Sequence, residues 1–282
     1  MKILLYVSLV LSLFFTGLLS AQEIKGIATY KTQRKMEIKL DSTQMSDEMQ
    51  KQMMAMLRKQ FEKEYTLKFN NHESIYKEAE SLNKPSGMSN GGMELVLMTA
   101  GGSDVLYKNI NENRFVNQNE LFGKVFLIKD TLEEINWDLE KETKNIGEYT
   151  CFKATFKRMV PRPTMSISND PEEDSEELAE EEIEQTVTAW YTLQIPVKHG
   201  PSEYGGLPGL ILEISDGSQT ILCSKIVLNP NNGLNINEPT KGKKVTQEEF
   251  DVIMEKKMRE NREQFNSGRR GDGMNFEIRI GG

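Results

Sequence analysis

The side chains best suited to acid–base chemistry in this sequence lie between positions 199 and 213. His199 is followed by Glu203 and Glu213, and an imidazole beside a carboxylate is a common general base in hydrolases. The second histidine, His72, begins like a zinc-protease motif, but Tyr76 stands where that motif requires another histidine. The sequence therefore predicts one possible hydrolytic set, His199 with Glu203 or Glu213. We favour the alternative that His199 is a solvated loop residue.

Methionines form the second candidate for chemistry. Met45, Met49, Met53 and Met56 recur at helical spacing, and soft thioether ligands at such spacing could hold Cu(I). No histidine or cysteine joins this stripe, and methionine is also an adaptable core residue. We therefore favour a core stripe over a copper site, and we expect no catalytic residue, no metal and no cofactor.

An irregular excursion between two strand-like runs positions the first candidate group. Proline and glycine predict a strand end, a rigid loop and then a tight turn with a positive φ at Gly209. The residues of this segment are Pro196, Gly200, Pro201, Gly205, Gly206, Leu207, Pro208, Gly209, Leu210 and Ile211. Trp190 and Tyr191, in the run before it, point to opposite faces of a strand, so one is expected at the wall of a pocket. We predict that Trp190, Tyr191, His199 and Tyr204 bind a ligand or a partner.

The same segment carries a resemblance to a known family. Positions 206–211 read GLPGLI, Trp137 and a block at 143–154 that includes Cys151 lie upstream, and KKVTQEEF follows at 243–250. In content and order these segments resemble the GLPGLI family, secreted proteins of certain Gram-negative bacteria. Ser202 departs from the pattern, because family members often carry an aromatic residue just after the Gly-Pro pair. The resemblance implies a class, an exported location and structural roles for Trp137, Cys151 and the turn residues, and it implies no reaction.

The first 21 residues predict a secretory signal peptide. Lys2 is followed by an apolar stretch over 3–19, and Leu19-Ser20-Ala21 fits a cleavage site. No other apolar run approaches the roughly 18 residues that a membrane span requires, so we predict no transmembrane span in the mature chain. We expect a periplasmic or secreted protein, and the absence of a basic face with interleaved aromatic residues argues against nucleic-acid binding.

The acidic charge of the chain is concentrated in one segment. The formal net charge of the 282 residues is −8, but positions 170–184 hold ten acidic residues and no basic one. The segment lacks the spacing and the glycine of a calcium-binding loop. We therefore predict an acidic insertion over 161–185 that acts as a solvated spacer between two strands.

Strand-like runs dominate the rest of the chain. Alternating or β-branched and aromatic runs are found at Ile24–Lys31, Met36–Leu40, Tyr65–Phe69, Ser74–Lys77, Val105–Ile110, Arg114–Asn117, Lys124–Ile128, Tyr149–Lys157, Thr186–Ile195, Leu210–Ile214 and Thr220–Leu228. Helices are predicted over about Ser46–Lys63 and, from a capping box at Thr246, over about 246–265. The predicted fold class is mainly β, a curved antiparallel sheet or open barrel with one packed helix plus a C-terminal helix. A single β-rich domain is expected over 22–245, with the C-terminal helix and a loose tail over 246–282.

The two cysteines leave a disulfide open. Cys151 and Cys223 could pair in an oxidising compartment. Strand alternation places both thiols on the more polar faces of their strands. A simple meander would put two strands between them, which is too far for a disulfide.

These patterns favour a non-enzymatic envelope protein that binds an apolar or extended ligand, or a partner protein. A curved sheet needs cover on its inner face, and one helix of about 18 residues is only about 27 Å long. Uncovered apolar surface marks a binding site, so we expect an apolar cleft there. The alternatives are a periplasmic hydrolase that uses His199 and a methionine-rich copper binder.

Overall fold

The computed structural model describes residues 23–34, 36–40, 62–79, 104–161, 166–167, 182–231, 233–268 and 276–280. Within these ranges the chain forms fifteen strands and one helix. The predicted signal peptide, the methionine stripe and the body of the helix predicted over Ser46–Lys63 lie outside the described residues.

The strands are β1 (Gly26–Arg34), β2 (Met36–Leu40), β3 (Glu64–Phe69), β4 (Glu73–Glu78), β5 (Val105–Asn109), β6 (Arg114–Leu121), β7 (Lys124–Thr131), β8 (Asp138–Ile146), β9 (Tyr149–Pro161), β10 (Ser166–Ile167), β11 (Glu182–Thr192), β12 (Leu210–Ser215), β13 (Gln219–Leu228), β14 (Lys243–Val245) and β15 (Phe276–Ile280). The helix, α1, is Gln247–Gly268.

Twelve strands form one large sheet. Their order is β14-β7-β6-β5-β4-β3-β1-β13-β12-β11-β9-β8, and β10, β15 and β2 form a second, three-stranded sheet. Neighbours in the large sheet are antiparallel except β14 and β7, which are parallel. The prediction of a mainly β fold is confirmed, and the sheet is open, with β14 and β8 at its edges.

The predicted C-terminal helix is confirmed with its cap. The hydroxyl of Thr246 accepts a hydrogen bond from the Glu249 amide at 3.2 Å, and the Glu249 carboxylate accepts one from the Thr246 amide at 3.0 Å. This reciprocal pair satisfies two backbone donors at the start of α1. Phe250 then packs edge-on against Phe126 of β7, which fixes the helix beside that strand.

The excursion, residues 193–209 between β11 and β12, fills the core beside the sheet. Ile195, Val197, His199, Tyr204 and Leu207 are all buried there. Backbone bonds tie it to the next strand, from the Leu210 amide to the Ile195 carbonyl and from the Ile211 amide to the His199 carbonyl. We expected a helix to cover the apolar face of the sheet. In the described part of the chain, this irregular segment provides that cover.

The prediction that Gly209 has a positive φ is wrong. The glycine of the turn with left-handed backbone is Gly206, at φ 86°, and Gly209 is not in that region. Gly209 is required for a different reason, because a Cβ there would lie 2.0 Å from the carbonyl oxygen of Thr192. The backbone of β11 passes too close for any side chain.

The cysteines are both free and both buried. β11 and β12 separate their strands, as the meander predicted, but the prediction that Cys223 lies on a polar face is wrong. A bulge opposite Thr29 and Tyr30 makes Ser224 an extra residue, so that Tyr30 pairs with Cys223 while Ala28 pairs with Ile226. The bulge reverses the alternation and turns Cys223 toward the core.

Part of the predicted acidic insertion is regular strand. Glu182 pairs with Pro161 and Glu184 with Met159 across β11 and β9. The Glu184 carboxylate accepts a hydrogen bond from Lys157 at 2.8 Å. The hairpin therefore extends into the segment that was predicted as a spacer, and positions 170–181 lie outside the described residues.

Replacing Gly209 by alanine should destabilise the protein more than the matched change Gly217→Ala. Gly217, in the β12–β13 turn, has φ 88° and open space around it, so alanine there costs about 1 kcal/mol for the backbone conformation alone. Gly209→Ala should cost clearly more, because Thr192 must move. Urea unfolding of both variants measures the difference, and equal losses would contradict the close-approach account.

Candidate functional site

Side chains of neighbouring strands form three rows across one face of the large sheet, here called the inner face. The rows are Lys108–Ser74–Phe69, Asn117–Leu106–Tyr76–Leu67–Ala28 and Glu78–Tyr65–Tyr30. Because alternate strand residues share a face, Lys108 and Leu106 of β5 lie on this face together with Asp104, which immediately precedes the strand. The segment 104–108 thus presents a carboxylate at one end of the inner face and a cation at the other.

Lys108 binds the excursion through its ammonium group. Its Nζ donates to the carbonyl oxygens of Ser202 at 2.6 Å, Tyr204 at 2.8 Å and Gly200 at 3.3 Å. Lysine is rarely this buried without partners, and here its three donors meet three backbone acceptors. Burial lowers the pKa of Lys108 to about 8, against the opposing charge of Glu203. The ammonium therefore holds the loop at 200–204 against the inner face.

His199 does not form the predicted hydrolytic set. It is buried, and neither ring nitrogen has a hydrogen-bond partner. The Glu213 carboxylate instead accepts two hydrogen bonds from Lys144, at 2.7 and 2.8 Å. Burial, helped by the Lys108 charge, lowers the pKa of His199 to about 3, and the backbone of Asn70 opposes this without completing a hydrogen bond. The imidazole is a neutral core group without a carboxylate partner, so both the pairing and the solvated-loop interpretation are wrong.

The other residues predicted to bind a ligand are enclosed by protein. Trp190, Tyr191 and Tyr204 are at most 8% exposed. Lys144 lies 4.3 Å from the centre of the Trp190 ring, and Phe156 packs near Tyr204 at 6.5 Å between ring centres. Their role in binding stays a prediction, since in this conformation their side chains contact protein.

The motif residue Trp137 contacts the turn directly. Its indole nitrogen donates to the Gly205 carbonyl oxygen at 2.9 Å, and its ring packs edge-on against Phe156 at 4.8 Å. Two segments that carry the sequence resemblance, the one just before β8 and the one within the excursion, are therefore in contact in the fold.

A cleft opens at the end of the inner face that the excursion leaves uncovered. Its volume is about 230 Å³. Sheet residues form most of its lining, Ser202 at the tip of the excursion closes one side, and α1 forms another wall. The lining residues are Thr32, Tyr65, Tyr76, Asp104, Leu106, Asn117, Asn119, Glu120, Leu121, Ser202, Gln219, Ile221, Phe250, Met254 and Met258.

The cleft combines aromatic rings with polar groups that lack partners. Tyr65 and Tyr76 stack with ring centres 4.9 Å apart and planes 6° apart. Oδ1 of Asp104 and Oδ1 of Asn117 are buried, and neither has a hydrogen-bond partner. Burial raises the pKa of Asp104 to about 6, while the Lys63 charge and a hydrogen bond from Asn119 oppose the increase. Buried acceptors without donors are costly, and both of these atoms belong to residues that line the cleft.

Sequence reasoning did not find these cleft residues. They come from strands that are distant in the sequence, and none belongs to a motif with a fixed spacing. The sequence did contain one indication, which is the presence of polar residues such as Asn117 of β6 at core-facing positions of predicted strands. The sequence alone does not show which strands are neighbours, so it could not show that these residues lie together.

Among the described residues, no group of three or more histidine, cysteine, aspartate or glutamate side chains is arranged to hold a metal ion. No helix in that part of the chain is long and apolar enough to cross a membrane.

Comparisons with known proteins identify one family model and a distant structural likeness. The model of a family described as "Protein of unknown function (Porph_ging)" matches residues 137–213, which run from Trp137 through the excursion into β12. No curated protein matches the chain. Solved structures of PNGF-II in the C2 and P21 space groups are similar at 13% and 14% identity, each with a TM-score of 0.46 over 83% of this chain. The chain spans 33% of the length of those structures, and a likeness of this degree carries no argument about function.

Replacing Lys108 by methionine should destabilise the fold. Methionine fills a similar volume but leaves three loop carbonyls without their donor, and each buried polar group left unsatisfied costs about 1–3 kcal/mol. Urea unfolding at pH 7 should show a loss of about 2 kcal/mol or more, against about 0.5 kcal/mol or less for the exposed control Lys31→Met. Equal losses in the two variants would show that the three hydrogen bonds contribute nothing.

The stability of the protein should fall as the pH is lowered below about 6.5 because of His199. The unfolded chain protonates this imidazole near pH 6.5, whereas the folded protein resists protonation down to about pH 3. Protons therefore favour the unfolded state throughout that window, and the stability present above pH 6.5 is progressively lost. The free energy of unfolding of His199→Phe, measured from pH 7 to pH 4, should decrease less than that of the wild type. The prediction would be contradicted if the free energy of unfolding of His199→Phe fell as steeply as that of the wild type. It would also be contradicted if the exposed control His72→Phe showed the same reduced pH dependence as His199→Phe.

Proposed function

We propose that this protein is a non-enzymatic binding protein, and that its site is the cleft between the inner face, Ser202 and α1. The observation that carries the proposal is the pair of buried, unpartnered acceptors, Asp104 Oδ1 and Asn117 Oδ1. A ligand with hydrogen-bond donors would satisfy both atoms, and this gain favours the bound state.

A binding role is favoured over catalysis by the titratable groups of the cleft. Asp104 and Glu120 are its carboxylates, and no histidine, lysine or cysteine lines it. The one buried histidine of the described chain, His199, contacts the Phe69 side of the inner face and has no carboxylate partner. The hydroxyl of Ser202, a lining residue, donates to the carboxylate of its neighbour Glu203. In the part of the chain that the structure describes, no histidine or lysine lines the cleft to activate that hydroxyl as a nucleophile.

The proposed ligand is polar, whereas the sequence favoured an apolar or extended ligand, or a partner protein. The aromatic residues that were predicted to line an apolar cleft, Trp190 and Tyr191, are enclosed by protein. The lining that does exist mixes tyrosine, leucine and methionine with carboxylate and amide side chains. Ligand sites commonly combine apolar walls with a few polar groups that fix orientation.

We further propose that the protein is exported and is of the GLPGLI type. The signal-like residues 1–21 support export. The segment with the GLPGLI motif lies inside the region matched by the family model, residues 137–213. An envelope location would place the cleft where peptides and other polar molecules outside the cytoplasm can reach it.

Binding should depend on Asn117. A panel of end-blocked Ala-X-Ala tripeptides, with each polar or charged residue at X, and of common mono- and disaccharides provides the probes. At least one probe should bind the wild type in NMR titrations and bind Asn117→Leu about tenfold more weakly. A tenfold change in affinity corresponds to about 1.4 kcal/mol, which is about the contribution of one buried hydrogen bond.

Asn145→Leu, a matched change on the exposed edge strand β8, should bind like the wild type. Urea unfolding of Asn117→Leu establishes that the variant is folded under the assay conditions. The absence of any bound probe, or binding that is indifferent to Asn117→Leu, would contradict the proposed site.

A further inference from the structure

We infer that the cleft recognises an organic cation, the guanidinium or ammonium group of a basic side chain on a polypeptide. This inference rests on the proposed function and adds the ligand class. Three features of the cleft carry it: the kind of polar group that is unsatisfied, the charge at that position and the aromatic surface beside it.

The fully buried side-chain atoms of the cleft that lack a partner are both acceptors. In the described chain, the buried side-chain atoms without a partner are Ser74 Oγ, both ring nitrogens of His199, Asp104 Oδ1 and Asn117 Oδ1. Of these only the last two line the cleft. A neutral hydroxyl brings an acceptor together with each donor, whereas guanidinium and ammonium groups bring donors alone. The deficit therefore matches a cation better than a sugar.

The charges around the cleft favour a positive group near Asp104. Asp104 and Glu120 line the cleft, and Glu78 beside them pairs with Lys63 at 3.1 Å. Two more cations lie nearby, Arg34 against Gln219 of the lining and Arg158 between two carboxylates outside it. Arg34 donates to Gln219 at 3.2 Å, and Arg158 lies 3.9 Å from Glu203 and 3.7 Å from Asp216.

The carboxylate at the centre is already desolvated. Asp104 has lost water on folding, and its two protein partners, Lys63 and Asn119, do not reach Oδ1. A charge-assisted hydrogen bond to a desolvated carboxylate is about twice as strong as one between neutral groups. A cation bound at Oδ1 would therefore gain both charge and hydrogen-bond energy.

The aromatic surface and the size of the cleft suit one basic side chain. Tyr65 and Tyr76 line the cleft and stack on each other. The face of the half-buried Tyr65 ring that turns away from Tyr76 is therefore the one on which a planar guanidinium would stack. The volume of about 230 Å³ is below the roughly 300–1,000 Å³ of sites for drug-sized ligands. It therefore fits a side chain better than a whole oligosaccharide.

The test compares an arginine with its neutral isostere. Isothermal titration with Ac-Ala-Arg-Ala-NH2 and with Ac-Ala-citrulline-Ala-NH2 changes the charge and leaves the shape almost unchanged. We expect the arginine peptide to bind at least about tenfold more tightly than the citrulline peptide, a difference of about 1.4 kcal/mol. Ac-Ala-Lys-Ala-NH2 should also bind more tightly than the citrulline peptide.

Asp104→Asn supplies the matched variant. It keeps the shape of the carboxyl group and removes the charge, so the preference for arginine over citrulline should fall to about twofold or less. The control Glu133→Gln, which removes the same charge from an exposed position between β7 and β8, should keep the full preference. An unchanged preference in Asp104→Asn would overturn the inference.

The outcomes separate this inference from the proposed function. Equal affinity for the arginine and citrulline peptides, or binding of a neutral saccharide that depends on Asn117 while the arginine peptide does not bind, would overturn the cation assignment and leave a binding cleft. If neither the three peptides nor the wider panel binds, the proposed function fails as well.

Asp104→Asn must unfold cooperatively in urea under the assay conditions, and Asn117→Leu with the same peptides provides a second variant that removes an acceptor without a change of charge.

Discussion

The three hydrogen bonds from the Lys108 ammonium to the loop at 200–204 are the interaction on which the rest of this structure depends. The excursion has little regular secondary structure of its own, and many of its backbone groups need partners other than a β ladder. Lys108 satisfies three carbonyls at once, at 2.6, 2.8 and 3.3 Å. This fixes the position of Ser202, which is one wall of the cleft, and encloses His199 in the core. A single buried cation thus couples the packing of the core to the shape of the site.

The inner face differs between its two ends, at Lys108 and at Asp104. At Lys108 the face is covered by the excursion, whose apolar side chains complete the core without a helix. Two alternate positions away, at Asp104, the same face is open and carries acceptors that the protein does not satisfy. A buried polar group without a partner calls for an explanation in any native structure, and a bound ligand is the explanation that we propose for these two. One end of the face is packed and satisfied, and the other end is where we propose that a ligand binds.

The sequence predicted the strands well and the site poorly, for physical reasons. All eleven predicted strands occur, because alternation and β-branched residues report a half-buried surface directly. β8 was missed because DLEKETKNI has the charged composition of an exposed edge strand, and the orientation of Cys223 was missed because one extra residue, Ser224, reverses the alternation. Gly209 was recognised as essential for the wrong reason, since the close approach of Thr192 is a contact between strands. Asp104, Asn117 and Tyr65 come together only through the strand order, which a single sequence does not contain.

The central claim is that the excursion is a fixed part of the core, held by Lys108, and not a loop that opens to expose the inner face. Hydrogen exchange of individual backbone amides, followed by NMR, tests this most directly. The amides of Gly206 and Ile211 donate within the excursion and to its base, to the Lys198 and His199 carbonyls. The account predicts that they exchange only through global unfolding, with the same free energy as amides in the β1–β13 ladder. Exchange of Gly206 and Ile211 through a local opening several kcal/mol less costly than global unfolding would contradict it.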